Sequence, residues 1–297
     1  MTKKILQIIT WGLFNIVICA QAKPLVLSSI KPLTLIAQEI ARDSATVDTL
    51  LPESASPHNY PLKVSDHSRL QKADLVLWIG PELESFLQKP LSSPLASQLI
   101  TAYELPGLFW PKEKLHANHE HHHERDPHLW LDPRNAIIIA QALSEKLAAI
   151  DEKNKLAYMA NLETFAARMT QLDMILTAKL KPFAGRGFAV YHEGYSHFVS
   201  HYGLYQLNYV TFTPEQKPGA KHLHQLRKIL SKEGHCLLLE PYYEQQSMRD
   251  LAKELNLKLG TLDALGSQNV NSYEQLLERM ADAFSHCLAN GDSARSM

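Results

Sequence analysis

Apolar and polar positions along this chain fall into short blocks whose period switches repeatedly between that of a strand and that of a helix. Leu25–Ile30 reads as a strand, Pro32–Arg42 as a helix and Ala45–Leu51 as a second strand, followed by a loop over Pro52–Asn59. Ser65 is placed to cap a helix running to Lys72. Asp74–Ile79 is nearly all apolar, as expected of a strand covered on both faces in a parallel sheet. A helix over Pro81–Leu87 and a strand over Gln98–Tyr103 complete this first alternation.

From Asp132 the pattern turns helical. Asp132-Pro133 supplies a cap and a first-turn proline for one helix. A second runs from Asp151 to Lys181, with Leu156, Met159, Leu162, Phe165, Met169, Leu172, Leu176 and Leu180 spaced by threes and fours until Pro182 stops it. Some 30 residues of helix span on the order of 45 Å, long enough to run along two domains. Alternation then resumes: strands over Gly187–Tyr191, Leu204–Phe212, Cys236–Glu240 and Leu257–Leu262, helices over Tyr195–Tyr202, Lys221–Lys232, Gln245–Leu255 and Tyr273–Ala289. The expected fold class is α/β, with two lobes built on parallel-type sheets and joined by a long rigid helix. The expected division is an N-terminal lobe over residues 23–131, helices over 132–182 and a C-terminal lobe over 183–297.

The first residues change the compartment. Lys3 and Lys4 precede an apolar stretch from Ile5 to Ala20, and Ala20-Gln21-Ala22 is a small-x-small cleavage site, so residues 1–22 read as a secretory signal peptide. The stretch falls short of the roughly 20 residues of a membrane span. Cys19 is preceded by Ile18 rather than the small residue of a lipoprotein signal, and it leaves with the signal. The two remaining cysteines, Cys236 and Cys287, have no CxxC spacing, and in an oxidising compartment such a pair reads as a disulfide. A formal net charge of −1 gives no reason to expect nucleic acid or an anionic membrane surface as a partner. The tract over residues 107–127 is polar and rich in His and acidic residues, and reads as a loop.

Three of the 15 His stand out by position. His58 follows the second strand, His128 ends the polar loop, and His192 lies at the carboxyl end of the first strand of the second lobe. Ligands of open α/β sheets bind beyond such strand ends. Three imidazoles placed this way in an exported chain suit zinc, with a carboxylate or water closing the shell. Asp263, in Gly260-Thr261-Leu262-Asp263, is at a further strand end and reads equally as a fourth ligand or a solvated turn residue.

Longer blocks carry a resemblance. Ser56-Pro57-His58-Asn59-Tyr60, Gln71-Lys72-Ala73-Asp74-Leu75-Val76, Trp78-Ile79-Gly80-Pro81-Glu82, His128-Leu129-Trp130-Leu131-Asp132-Pro133 and Tyr191-His192-Glu193-Gly194-Tyr195 occur in order, with Pro214-Glu215, Pro218-Gly219-Ala220 and Glu240-Pro241 beyond them. With them the chain resembles the zinc-binding solute-binding proteins of bacterial ABC importers over essentially its whole mature length. The resemblance implies a metal in the cleft between two lobes, held by His58 and His128 from the first and His192 from the second, with Asp263 or water fourth. Manganese-binding relatives place a carboxylate where His192 falls, so the cargo implied is Zn2+. It further implies that His116, His119, His121, His122 and His123 hold extra metal loosely, against a plain solvated loop as the other reading. The implied role is capture of zinc in the periplasm by a monomer and its delivery to a membrane ABC permease, with no catalysed reaction. The alternatives are a manganese-type protein or adhesin on the same fold, or a secreted zinc hydrolase using Glu193 or Glu240 as base. The hydrolase lacks support from any HExxH helix or G-x-S-x-G elbow.

Overall fold

The computed structural model describes residues 22–53, 55–92, 98–111, 125–243, 245–266 and 269–289. The expected signal segment and the His116–His123 tract therefore lie outside the described residues. Two four-stranded sheets organise the chain, each entirely parallel. The first contains β1 (Leu25–Ser28), β2 (Thr46–Thr49), β3 (Leu75–Trp78) and β4 (Leu99–Thr101) in the order β2-β1-β3-β4. The second contains β5 (Gly187–His192), β6 (Tyr205–Thr211), β7 (Gly234–Leu239) and β8 (Lys258–Thr261) in the order β6-β5-β7-β8. In both, the first strand of the unit sits inside and the chain then crosses to the other side, which opens a crevice beyond the carboxyl ends.

The central strands show why the apolar runs are continuous: all four residues of β3 are buried, as are five of the six in β5 and in β7. Helices α1 (Lys31–Ala41) and α2 (Val64–Lys72) connect strands of the first sheet. Helices α6 (Ser196–His201), α7 (Ala220–Glu233) and α8 (Gln246–Glu254) do so in the second, and α9 (Tyr273–Leu288) closes the chain against it. α2 begins one residue before the expected cap at Ser65; its first turn is held instead by Asp66, whose carboxylate accepts the Lys63 N–H at 2.9 Å.

The helix expected over Pro81–Leu87 is absent from the structure. The amides of Leu83 and Glu84 both turn back onto the Gly80 carbonyl, and the buried Glu84 carboxylate takes the Ile79 N–H at 2.8 Å. Those bonds fix a turn, so only a 3-10 turn at Ser85–Leu87 and the four-residue α3 (Gln88–Leu91) follow.

Between the sheets run α4 (Pro133–Ile150), capped by Asp132 through the Arg134 N–H at 2.9 Å, and the 26-residue α5 (Lys155–Leu180). α5 packs on α4, on α1 of the first sheet's layer and on α9 of the second's. Its buried stripe is Tyr158, Phe165, Met169, Leu172, Leu176 and Leu180. Leu156 and Met159, expected on that stripe, are 80% and 52% exposed. The register of the first turns is set by Tyr158, whose hydroxyl donates to Asp151 at 2.8 Å, and this turns its neighbours outward. Midway along, Arg168 pairs with Glu39 of α1 and with Glu274 of α9, so one guanidinium ties both layers to the same helix.

Cys236 of β7 and Cys287 of α9 form a disulfide with Cα atoms 5.7 Å apart, closing a 51-residue separation. In the chain-entropy account a loop of that size contributes about 4 kcal/mol. The Cys236→Ala/Cys287→Ala variant should lose stability of about that size in urea unfolding. Reductant should lower the native protein's midpoint to match and leave the variant unmoved.

Candidate metal centre

The three His singled out by position converge. His58 lies in the loop after β2, His128 at the start of the 3-10 turn Leu129–Leu131, and His192 at the last position of β5. One ring nitrogen from each lies within 4.8 Å of the others, and no other such group of His, Cys, Asp or Glu occurs among the described residues. Nε2 of His192 and Nε2 of His128 are 3.3 Å apart. Two nitrogens each about 2.05 Å from a tetrahedral zinc are separated by about 3.3 Å, so this pair already has the spacing a zinc ion would impose. His128 and His192 are 3% and 4% exposed, whereas His58 is partly open to solvent. The cavity they line with Pro57, Trp130 and Tyr243 has 20 Å³ of room for the centre of a water-sized sphere. About 10–15 Å³ suffices for one water, so the space suits one ion and little else.

Both buried rings are aimed from behind. Nδ1 of His128 meets Asp126 Oδ1 at 2.6 Å, and the same oxygen accepts the His128 N–H at 3.0 Å. Nδ1 of His192 is bonded to Glu240 Oε1, which also accepts the Tyr195 hydroxyl at 2.9 Å. A carboxylate on Nδ1 fixes the tautomer, leaves Nε2 free as a ligand and makes it more basic. Among the described residues no carboxylate is hydrogen-bonded to the ring of His58, whose backbone N–H donates to Ser56 Oγ at 3.2 Å, and Ser56 in turn donates to Glu215 of the other lobe at 2.5 Å.

The electrostatics follow from this arrangement. Burial, reinforced by the neighbouring His128 and His192, pushes the His58 imidazole down to about 2. Burial also lowers His128, against the pull of Asp126. Burial acts to lower His192 as well, but Glu240 with Asp126 and Glu193 outweighs it and holds that ring above its ordinary value. Burial likewise acts to raise Asp126, yet His128, His197 and the Ser196 hydrogen bond outweigh it and hold the carboxyl well below the usual range. Two rings are thus kept neutral for metal, and the third is backed by a buried carboxylate.

Glycine has a steric role here. A Cβ on Gly194 would stand 2.1 Å from Nε2 of His192 and 2.9 Å from Cε1 of His128. Both distances lie far inside van der Waals contact, so a methyl group here would push the His192 and His128 rings out of their present positions.

Asp263 is not brought into the group. Its Oδ1 accepts the Tyr242 hydroxyl at 2.7 Å and the N–H groups of Leu265 and Gly266 at 3.2 and 3.0 Å, which builds the turn after β8. Of the two glutamates weighed as bases, Glu193 accepts from Gln206 at 2.7 Å and Glu240 backs His192. Asp126, Ser196 and His197 belong to the centre and were not recognised in the sequence. Asp126, two residues before His128, was readable in principle, since an Asx turn there is a local habit of aspartate. Ser196 and His197 had no local signal.

Two parallel α/β lobes with imidazoles from both meeting in the cleft define a two-lobed protein whose cleft carries the ligand chemistry of a zinc site. The chain belongs to the ZnuA family, described as zinc-uptake complex component A, periplasmic, whose family model matches residues 26–287. It is 35% identical over 292 residues to the high-affinity zinc uptake system protein ZnuA of Yersinia pestis, covering 90% of this chain and 92% of that one. It is 32% identical over 308 residues to the protein of the same name from Haemophilus ducreyi, covering 95% and 98%. A crystal structure of ZnuA superposes with a TM-score of 0.78 at 25% identity, covering 90% of this chain and 99% of that one. The periplasmic zinc-binding protein TroA of Treponema pallidum shares the fold at a TM-score of 0.79 and 18% identity.

Gly194→Ala is expected to abolish tight zinc binding in a titration while the circular dichroism spectrum stays that of the native protein. The depressed His58 has a consequence for the metal-free protein: the unfolded chain takes up a proton at this ring below about pH 6.5 that the folded one refuses. That contribution to stability is present above pH 6.5 and is lost as pH falls toward 2. The raised His192 has the opposite sign, so the two oppose each other in acid. Metal-free His58→Gln is therefore expected to lose less melting temperature between pH 7 and pH 5 than the metal-free native protein.

Proposed function

We propose that this chain captures one zinc ion in the periplasm and hands it to the membrane permease of an ABC importer. The observation that carries the reading is the trio His58, His128 and His192, with donor atoms within 4.8 Å and an Nε2 pair already at zinc spacing. The names of the relatives, each a high-affinity zinc uptake protein, support the same cargo. Three nitrogen donors suit zinc better than manganese, which favours oxygen ligands. The fourth ligand in this reading is water, because Asp263 is engaged in its own turn.

Residues 1–22 act as a signal peptide in this reading, removed near Ala22. Residues 23–131 and 183–297 then form the two jaws and 132–182 the bridge. No described helix is long and apolar enough to cross a membrane. The protein works as a monomer, carrying rather than transforming its ion. Support for a rigid carrier comes from Trp130, beside His128, whose indole N–H donates to Ala264 of the second lobe at 2.7 Å while its carbonyl accepts the Tyr273 hydroxyl at 2.6 Å. Five of the loop residues assigned to a secondary site, His116, His119, His121, His122 and His123, remain part of the proposal as weak extra ligands.

Calorimetric titration of residues 23–297 against zinc with a competing chelator tests the reading. One tight site per chain is expected, with each of His58→Ala, His128→Ala and His192→Ala weakening it at least a hundredfold. Tight binding that survives all three substitutions, and disappears only when residues 116–123 are deleted, would overturn it.

A further inference from the structure

Asp126 does more than back one ligand. Its Oδ1 takes both the N–H and Nδ1 of His128, while its Oδ2 accepts the backbone N–H of Ser196 at 3.1 Å and the Ser196 hydroxyl at 2.5 Å. Its own carbonyl meets Nε2 of His197 at 2.9 Å. Ser196 and His197 open α6, four and five residues beyond His192, so they belong to the lobe opposite the one that supplies His128. The Asp126 side chain is only 9% exposed, and His197 is 1% exposed with its other nitrogen 3.4 Å from the Asn135 amide.

Resting on the proposed zinc function, we propose that Asp126 and Ser196 form an interlobe clasp that sets zinc affinity by fixing His128 against His192 before the ion arrives. The two oxygens of one carboxylate divide the labour. One aims the His128 ring, and the other anchors that aim to the helix that follows His192. A carboxylate free on its far side would let the ring follow the motion of its own loop. Here the loop end is tied to the element whose start is fixed by the second ligand, so the clasp holds the two Nε2 atoms, 3.3 Å apart, in one arrangement. Ligands held in place ahead of binding lose less freedom when the ion arrives, and the gain appears chiefly as slower dissociation. Both residues are positioning residues: neither is among the three whose donor atoms converge.

The test uses the full mature chain at one pH, with zinc affinity and dissociation rate measured by chelator competition, beside the cobalt(II) absorption spectrum and the melting temperature of the metal-free protein. Asp126→Asn, which keeps the shape, is expected to weaken zinc about ten- to a hundredfold, the usual cost of losing a carboxylate behind a histidine ligand. Ser196→Ala is expected to weaken it about tenfold, as for one hydrogen bond to a charged group, and Ser196→Thr to restore the native value. In each case the loss should lie in the dissociation rate and the cobalt spectrum should change, while the metal-free protein stays folded and its melting temperature falls only by the few degrees that one lost hydrogen bond costs. The double variant should be no weaker than Asp126→Asn, since both substitutions open the same clasp. Native affinity and dissociation in Asp126→Asn, when His128→Ala has lost zinc, would overturn the clasp and leave the zinc site standing. Additive losses in the double variant, or weaker affinity with a native dissociation rate and cobalt spectrum, would also overturn it. Failure of the native protein to bind zinc would instead overturn the proposed function.

Discussion

Three imidazoles with donor atoms inside 4.8 Å cannot be left to find their own orientation, because each ring has two nitrogens and only one of them is useful. The structure meets that constraint with carboxylates placed behind the rings: Asp126 on His128 and Glu240 on His192. Much of the surrounding architecture can be read as support for those two carboxylates. Glu240 directly follows β7 and is braced by Tyr195, while Asp126 is met by the first residues of α6. The parallel sheets matter here because they deliver their strand ends, and therefore these loops, to one side of each lobe.

The opposing effects on the rings express the same division. Burial favours neutral imidazole and keeps His58 and His128 available to a cation. The same burial makes an unpaired carboxylate costly, so Asp126 and Glu240 are stable only because each faces a ring and a hydroxyl. Ligands and supports thus stabilise each other without any ion.

Much of the architecture was legible in the sequence, because strand runs such as Asp74–Ile79 and the cap Asp132-Pro133 declare themselves within a few residues. The positions of the three His were legible too: His58 in the loop after β2, His128 where the polar loop ends and His192 at the carboxyl end of β5. What escaped was set by individual hydrogen bonds that the apolar pattern does not carry. The Pro81–Leu87 helix was lost to amides that return to the Gly80 carbonyl and to Glu84 folding back on Ile79. Leu156 and Met159 have the spacing of core residues, yet Tyr158 takes the buried position between them by reaching Asp151. Asp263 stands at a strand end like the true members of the group, but three donors from its own turn and Tyr242 claim one of its oxygens. Ser196 has no local mark at all, since its meaning comes from a residue 70 positions away.

The uneven exposure of the three rings gives the cleft a direction. Two are sealed inside and the third, His58, stands partly open at the mouth, with space behind it for little more than one ion. A space of that size admits no second ion beside the first. Cargo is then counted in whole units, so a population of these proteins responds to scarcity by the fraction of members loaded rather than by how full each one is.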